Sequence, residues 1–373
     1  MILSIIVPMY HGKKYLHSIL DQIEACTKII DEDVSVELIL YNDSPDEKIL
    51  MPTKKYMFSI TIINADFNSG IHGARVQGLK HAVGEYVLFL DQDDKIAPAY
   101  LNKQLECIGH ADAVVCRAIH NKRFHYTDTH IFEKVITKDF MLRNWCPIVS
   151  PGQVLIKKEA IPALWTSNIL KHNGADDYFL WLLMAAYNKR FALNQEVLFE
   201  HVMTGFNVSD DTNNMMDSES EMIQYLENHH VFSGEDEILL SKLSESLRKI
   251  HIKQLENYKR TFFFLQQWNL KLAENSCPMT FFQSNNIRKI AIYGAGDLGI
   301  NLEVLLRNSM VEVYCFIDQN AGYIISHLPV YKKEALPQDI DAIILTVRND
   351  SLRAELIKIA KCPVYEAEEI FIH

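Results

Sequence analysis

The stretch that most restricts what this chain can fold into is residues 84–94. Five apolar or aromatic residues, Tyr86-Val87-Leu88-Phe89-Leu90, read as a buried strand. They run directly into Asp91, Asp93 and Asp94, interrupted only by Gln92. So much negative charge at a strand end is costly unless something positive sits beside it. One solution is a divalent cation that escorts a phosphate-bearing substrate. Carboxylates suit magnesium or manganese, which keep positions open for water and phosphate oxygens. The other is that these acids simply open a turn or cap a helix, as Asp often does.

The residues upstream place that strand in a sheet. Residues 2–7 read as a strand stopped by Pro8, and residues 14–30 carry Tyr15, Ile19, Ile23 and Ile30 at helical spacing. Further strands are expected at 36–41 and 59–63, and a helix at 74–82. Strands separated by helices predict an α/β fold, a mostly parallel sheet covered on both faces. In such sheets ligands gather at the carboxyl ends of strands. Pro8-Met9-Tyr10, Asn42-Asp43-Ser44 and the acid cluster all fall there.

Beyond residue 97 the pattern loosens. Short strands are expected at 113–116, 154–156 and 197–201. The polar run His172-Asn173-Gly174-Ala175-Asp176-Asp177 opens a helix over 178–187. Residues 215–275 read as helical, with Leu239, Leu243, Leu247, Ile250, Leu255, Tyr258, Phe262, Leu265, Trp268 and Leu272 at intervals of three to four. The Phe262-Phe263-Phe264 triplet is read as a packing or homodimer surface in preference to membrane contact. From Asn286 a second α/β unit begins, with a strand, then Gly294-Ala295-Gly296-Asp297-Leu298-Gly299, a helix, and a strand ending at Asp318, nineteen residues after the last glycine. That is the spacing of a dinucleotide-binding unit. The expected organisation is residues 1–212, a helical region 213–285, and a small Rossmann-like domain 286–373.

A net charge of −11 argues against sequence-independent nucleic-acid binding. The seven cysteines are scattered, the closest pair being Cys107 and Cys116, which excludes zinc-type spacing and suits a reducing cytoplasm. The apolar N-terminus is too short for a signal peptide, and no apolar run reaches the length that spans a bilayer. A soluble cytoplasmic protein is expected, with peripheral contact at the inner face of the membrane left open.

These pieces stand in the order seen in one family. The residues Ile5-Ile6-Val7-Pro8-Met9-Tyr10, Asn42-Asp43-Ser44-Pro45-Asp46, Asn68-Ser69-Gly70 leading to Ala74-Arg75-Val76-Gln77-Gly78, and Asp91-Gln92-Asp93-Asp94 together resemble the family 2 glycosyltransferases, over about residues 1–210. Val76 stands where that family usually has Asn. The resemblance implies the nucleotide-sugar-binding GT-A fold and a metal-dependent, inverting transfer from a UDP-sugar or similar donor to a glycan or glycolipid acceptor.

It also implies residue roles. Pro8 and Tyr10 would lie on the uridine side and Asp43 on the base. Asn68, Gly70, Arg75, Asp91 and Gln92 would complete the donor site. Asp93 and His201 would hold manganese or magnesium, while Asp94 would either support that site from behind or cap the next segment, the cap being preferred. Asp177 would be the general base, with Asp176 capping its helix. On the acceptor side stand Gln153 and a tryptophan, Trp145 or Trp181. Residues 203–214 read as either a lid or a plain loop. In the last domain Gly294, Gly296, Gly299 and Asp318 would contact any nucleotide. That domain lacks a spaced Tyr and Lys pair for hydride transfer, so an NAD-dependent enzyme is disfavoured. The competing reading is a bifunctional or regulated protein whose last domain binds a nucleotide, a nucleotide sugar or a partner enzyme, and a plain packing or oligomerisation module is the other.

Overall fold

The computed structural model describes all residues except 121–122, 126–128, 206, 209–210, 274–278, 325 and 372–373. The described chain divides into two compact units, Met1–His251 and Ile252–His373.

The first unit is built on one sheet. Its strands are β1 (Ile2–Met9), β2 (Ser35–Asn42), β3 (Ser59–Asn64), β4 (Tyr86–Phe89), β5 (Lys95–Ile96), β6 (Ala113–His120), β7 (Arg123–His125), β8 (Val154–Lys157) and β9 (Phe191–His201). The helices are α1 (Leu16–Thr27), α2 (Gly70–His81), α3 (Tyr100–Ile108), α4 (Thr129–Val135), α5 (Lys138–Arg143), α6 (Ala163–Ser167), α7 (Asp176–Ala186) and α8 (Thr212–Asn228), followed by α9 (Glu235–Ala273), within which the division between the units falls. The strand order is β3-β2-β1-β4-β8-β6-β9-β5, with β7 on β6. Strands β3, β2, β1 and β4 are mutually parallel, and β8 enters antiparallel between β4 and β6.

Alternation along the strands separates the cores of the two faces. Ile6, Val87 and Phe89 join α2 and α7 residues such as Val76 and Phe179 in one cluster. Leu3, Ile5, Val7, Leu88 and Leu90 join Ile19, Ile23 and Tyr100, from α1 and α3, in the other. The chain winds from β1 through β2 to β3, then returns to place β4 on the other side of β1. That reversal opens a crevice at the carboxyl ends of β1 and β4, next to Tyr10 and Asp91.

The expected helical stretch over 215–275 is two helices, α8 and α9, separated by a turn in which Phe232 is buried. Glu219 on α8 and His251 on α9 form a buried pair at 2.9 Å within the first unit. The second unit holds α10 (Thr280–Ser284), β10 (Lys289–Tyr293), α11 (Asp297–Leu306), β11 (Glu312–Ile317), β12 (Val330–Tyr331), β13 (Ala342–Leu345), α12 (Asp350–Ile359) and β14 (Val364–Glu366). Its sheet is parallel throughout in the order β12-β11-β10-β13-β14, so its own reversal lies between β10 and β13. Among the described residues no helix is long and apolar enough to cross a membrane.

Candidate active site

The crevice is assembled by polar side chains that tie the loops to one another. Gln92 clamps the turn after β1: its Oε1 accepts from Tyr10 N at 3.1 Å and its Nε2 donates to Tyr10 O at 3.0 Å. Its amide is therefore engaged in holding the Tyr10 loop. Tyr10 itself is 53 % exposed and packs edge-on against His11 at 4.3 Å. Asp43 is buried at the end of β2, where its Oδ1 accepts from both N and Oγ of Ser69 at 2.8 Å. Burial pushes its carboxyl above the usual range despite those bonds. Asn68 is exposed and accepts from Gly70 N at 2.9 Å. Pro8 lies in β1, paired opposite Tyr41 of β2.

Gly70 is required by its backbone. Its φ is +75°, and a Cβ there would stand 2.7 Å from Asn173 Oδ1. That Asn173 oxygen accepts from Ile71 N at 3.0 Å, so the loop before α7 caps the first turn of α2.

Arg75 is the centre of the site. Its side chain is only 3 % exposed; Nη2 donates to Asp91 Oδ1 at 2.5 Å and Nη1 to Asp176 Oδ2 at 2.6 Å. One guanidinium thus joins the strand-end acid to the helix that carries Asp177. This corrects two expectations. Arg75 is committed to two carboxylates rather than offered to a donor, and Asp176 is ion-paired, not capping. The residue at the cap position of α7 is Ala175, with no side-chain bond.

Asp94 is likewise no cap. It is buried, and it accepts from Ser150 Oγ at 2.8 Å, from Val202 N at 3.0 Å and from His201 Nδ1 at 2.8 Å. Its carboxylate fixes the end of β9 and the His201 ring, which also stacks on His120 at 5.1 Å. Burial acts to lower the His201 pKa, but the bond to Asp94 and the charges of Asp91 and Asp93 outweigh it, and the net shift is upward.

Two acids are left poised. Burial, reinforced by Asp91 and Asp94, pushes the half-buried Asp93 up to about 6. Burial and then the Asp176 charge push Asp177 up to about 7, against the lowering effect of Arg75. Asp177 Oδ1 accepts from Tyr178 N at 2.6 Å. Among the described residues no three His, Cys, Asp or Glu side chains converge in an arrangement that would hold a metal.

Of the residues expected on the acceptor side, Gln153 and Trp181 are 0 % exposed. Gln153 Nε2 donates to Cys116 O at 2.7 Å and Oε1 accepts from Val149 N at 3.1 Å, so it braces the loop before β8. Trp181 lies on the inner face of α7 against Phe191. Neither meets solvent, which corrects both expectations. Ser150 was not singled out from the sequence; its hydroxyl reaches both Asp94 and, at 3.4 Å, Asp91. Of residues 203–214, Phe206, Ser209 and Asp210 lie outside the described residues.

In the second unit the glycine turn comes after β10 at the sheet's reversal. Gly299 needs its missing side chain, since a Cβ would stand 1.9 Å from Gly294 O. Gly296 precedes α11, and Gly294 has φ +100°. Asp318 Oδ2 accepts from Ala295 N at 3.0 Å and Oδ1 from Asn320 N at 2.9 Å, so the acid closes the turn on itself.

Residues 4–165 match the model of Glycosyl transferase family 2. That segment, somewhat under half of the chain, is the part that resembles a family 2 glycosyltransferase domain, and it lies on a mixed α/β sheet rich in parallel strands. An uncharacterized glycosyltransferase of Haemophilus influenzae is 26 % identical, covering 61 % of this chain and 77 % of the relative. The putative teichuronic acid biosynthesis glycosyltransferase TuaG of Bacillus subtilis is 36 % identical over 28 % of this chain and 41 % of its own length. TarS of Staphylococcus aureus, a poly(ribitol-phosphate) beta-N-acetylglucosaminyltransferase, is 32 % identical over 27 % of this chain, and the chain spans only 17 % of it. The crystal structure of TarS residues 1–349 with UDP-GlcNAc superposes at a TM-score of 0.43 and 18 % identity, covering 61 % of this chain and 67 % of that one.

Proposed function

We propose that the first unit moves a hexose-type sugar from a nucleoside-diphosphate donor, most simply a UDP-sugar, to a hydroxyl of a glycan or lipid-linked glycan in the assembly of a bacterial surface polysaccharide, with inversion at the anomeric carbon. The observation that carries this reading is Asp177, an acid held near 7 by burial and Asp176 on the helix that Arg75 ties to the strand-end acid Asp91. Such a carboxyl is partly ionised at neutral pH and basic enough to take the acceptor's proton as the new bond forms. The neighbouring acids are otherwise engaged, Asp91 and Asp176 by Arg75 and Asp94 by Ser150, His201 and Val202. That supports one displacement with a base, hence inversion, over a covalent intermediate. The names of TuaG and TarS support the polysaccharide setting and an N-acetylglucosamine-type donor.

Asp93 and His201 offer two donors of the kind magnesium and manganese accept, few enough that substrate phosphate oxygens and water would complete the shell. Asp93 carries a raised pKa that a positive charge would relieve, and the one buried guanidinium described beside the cluster, Arg75, is committed to Asp91 and Asp176. Asp93 and His201 would hold the ion, with Asp94 on Nδ1 leaving Nε2 of His201 to face it. Bound there, it would neutralise charge developing on the departing diphosphate.

A thermal-shift titration with UDP-sugars and manganese tests the assignment, because a ligand that binds only the native state raises the melting temperature. One UDP-sugar is expected to do so with manganese present, and Asp93→Ala to remove that dependence. Manganese-independent turnover by Asp93→Ala would overturn the metal reading. The glycine turn of the second unit is carried as a candidate nucleotide or nucleotide-sugar site with a regulatory role, supported by its place at the sheet's reversal.

A further inference from the structure

The tryptophans of this chain are not alike. Trp165, Trp181 and Trp268 are 0 %, 0 % and 4 % exposed, whereas Trp145 is 43 % exposed. A large aromatic ring left in solvent is informative when it borders a site. The segment that carries Trp145 is pinned to the site on both sides. Four residues before it, Met141 O accepts from the hydroxyl of Tyr178, the residue after Asp177, at 2.5 Å. Five residues after it, Ser150 Oγ reaches Asp94 at 2.8 Å and Asp91 at 3.4 Å. Its neighbour Cys146 is close enough to Asp177 that, after burial, the Asp177 charge is the next cause raising its thiol pKa. Phe140 packs edge-on against the indole at 5.3 Å and 80°, which steadies the ring.

We propose that Trp145 is the platform on which the acceptor's sugar ring stacks, so that the acceptor is a pyranoside rather than an open-chain polyol phosphate. This rests on the transfer reading above. A pyranose has a rigid face of C–H groups that lies flat on the electron-rich indole while its hydroxyls stay at the rim in water. For transfer to follow, one hydroxyl of the stacked ring must reach Asp177. An open-chain polyol has no such face and must freeze several rotors to lie on a plane. Trp145 is a specificity-determining residue here, with no part in proton transfer.

The test uses the full chain with UDP and manganese. Acrylamide quenching reads Trp145, since the other three indoles are buried, and Trp145→Phe should remove the quenchable component. Methyl glycosides of glucose, galactose and N-acetylglucosamine are titrated in, and separately ribitol 5-phosphate and glycerol 3-phosphate. At least one pyranoside is expected to cut quenching by ~2-fold or more while the polyol phosphates leave it unchanged. With that pyranoside as acceptor, Trp145→Ala should raise the acceptor KM ~10-fold with kcat and the donor KM within ~2-fold, and Trp145→Phe should restore the acceptor KM to within ~3-fold of wild type. Protection by the polyol phosphates alone, protection by neither class, or an unchanged acceptor KM in Trp145→Ala overturns the proposal. Failure of UDP with manganese to shift the wild-type melting temperature would instead overturn the transfer reading beneath it.

Discussion

At the scale of single residues, the site consists of acids sorted by what engages them. Arg75 answers for Asp91 and Asp176, and its removal leaves two carboxylates without their cation in a place where water cannot fully replace it. Arg75→Ala is expected to destabilise the first unit by about 3–5 kcal/mol, read as a lower urea midpoint at unchanged m-value. Asp177 makes a different prediction. Its pKa in the fold, about 7, lies above the ordinary carboxylate value, so the native state binds a proton that the unfolded chain releases. Its contribution to stability is therefore complete below about pH 4 and is lost as pH rises through about 7. Asp177→Asn should melt higher than wild type at pH 8 by ~2 °C or more, with the gap closing toward pH 4. The same variant should bind UDP-sugar normally and lose at least ~10²-fold in kcat, and the wild-type rate should climb through pH 7. Equal turnover by Asp177→Asn would remove it from the chemistry.

Among the elements, the short connections do more than the strands. Asn173 caps α2 from the loop before α7, and Gly70 is left-handed to admit it. The position of Asp94 decides how β9 ends, because it holds both Val202 N and the His201 ring. These are long-range partners, over a hundred residues apart in sequence, and no local pattern announces them. By contrast the runs that became β1, β2, β4 and β10 were readable from apolar content alone. The helix α3 and the break between α8 and α9 were not, since a period of three to four residues continues across a turn as easily as through it. In the second unit the glycine turn is a contact of backbone on backbone. Gly299→Ala would set a methyl group against Gly294 O, and it is expected to lower the melting temperature of the second unit's transition by several degrees, leaving the manganese-dependent UDP response of the first unit intact.

For the whole molecule, the division into two compact units bears on where activity resides. Every residue given a part in transfer lies before His251. A chain ending near residue 280, past the close of α9, is expected to keep its UDP-sugar response and its turnover per folded molecule. A truncated, folded protein that binds donor but transfers slowly would make the second unit a regulator.

The order of apolar runs, glycines and acids along the chain was enough by itself to determine an α/β sheet with its polar clusters at the strand ends, because burial and backbone geometry are dictated by near neighbours. What each polar side chain does was decided only by tertiary structure. Asp91, Asp93, Asp94, Asp176 and Asp177 are chemically alike in sequence, and Gln153 and Trp181 resemble surface residues as well as core ones. Their differences come from burial and from partners brought in across the fold, which set the charge, hydrogen bonding and exposure of each.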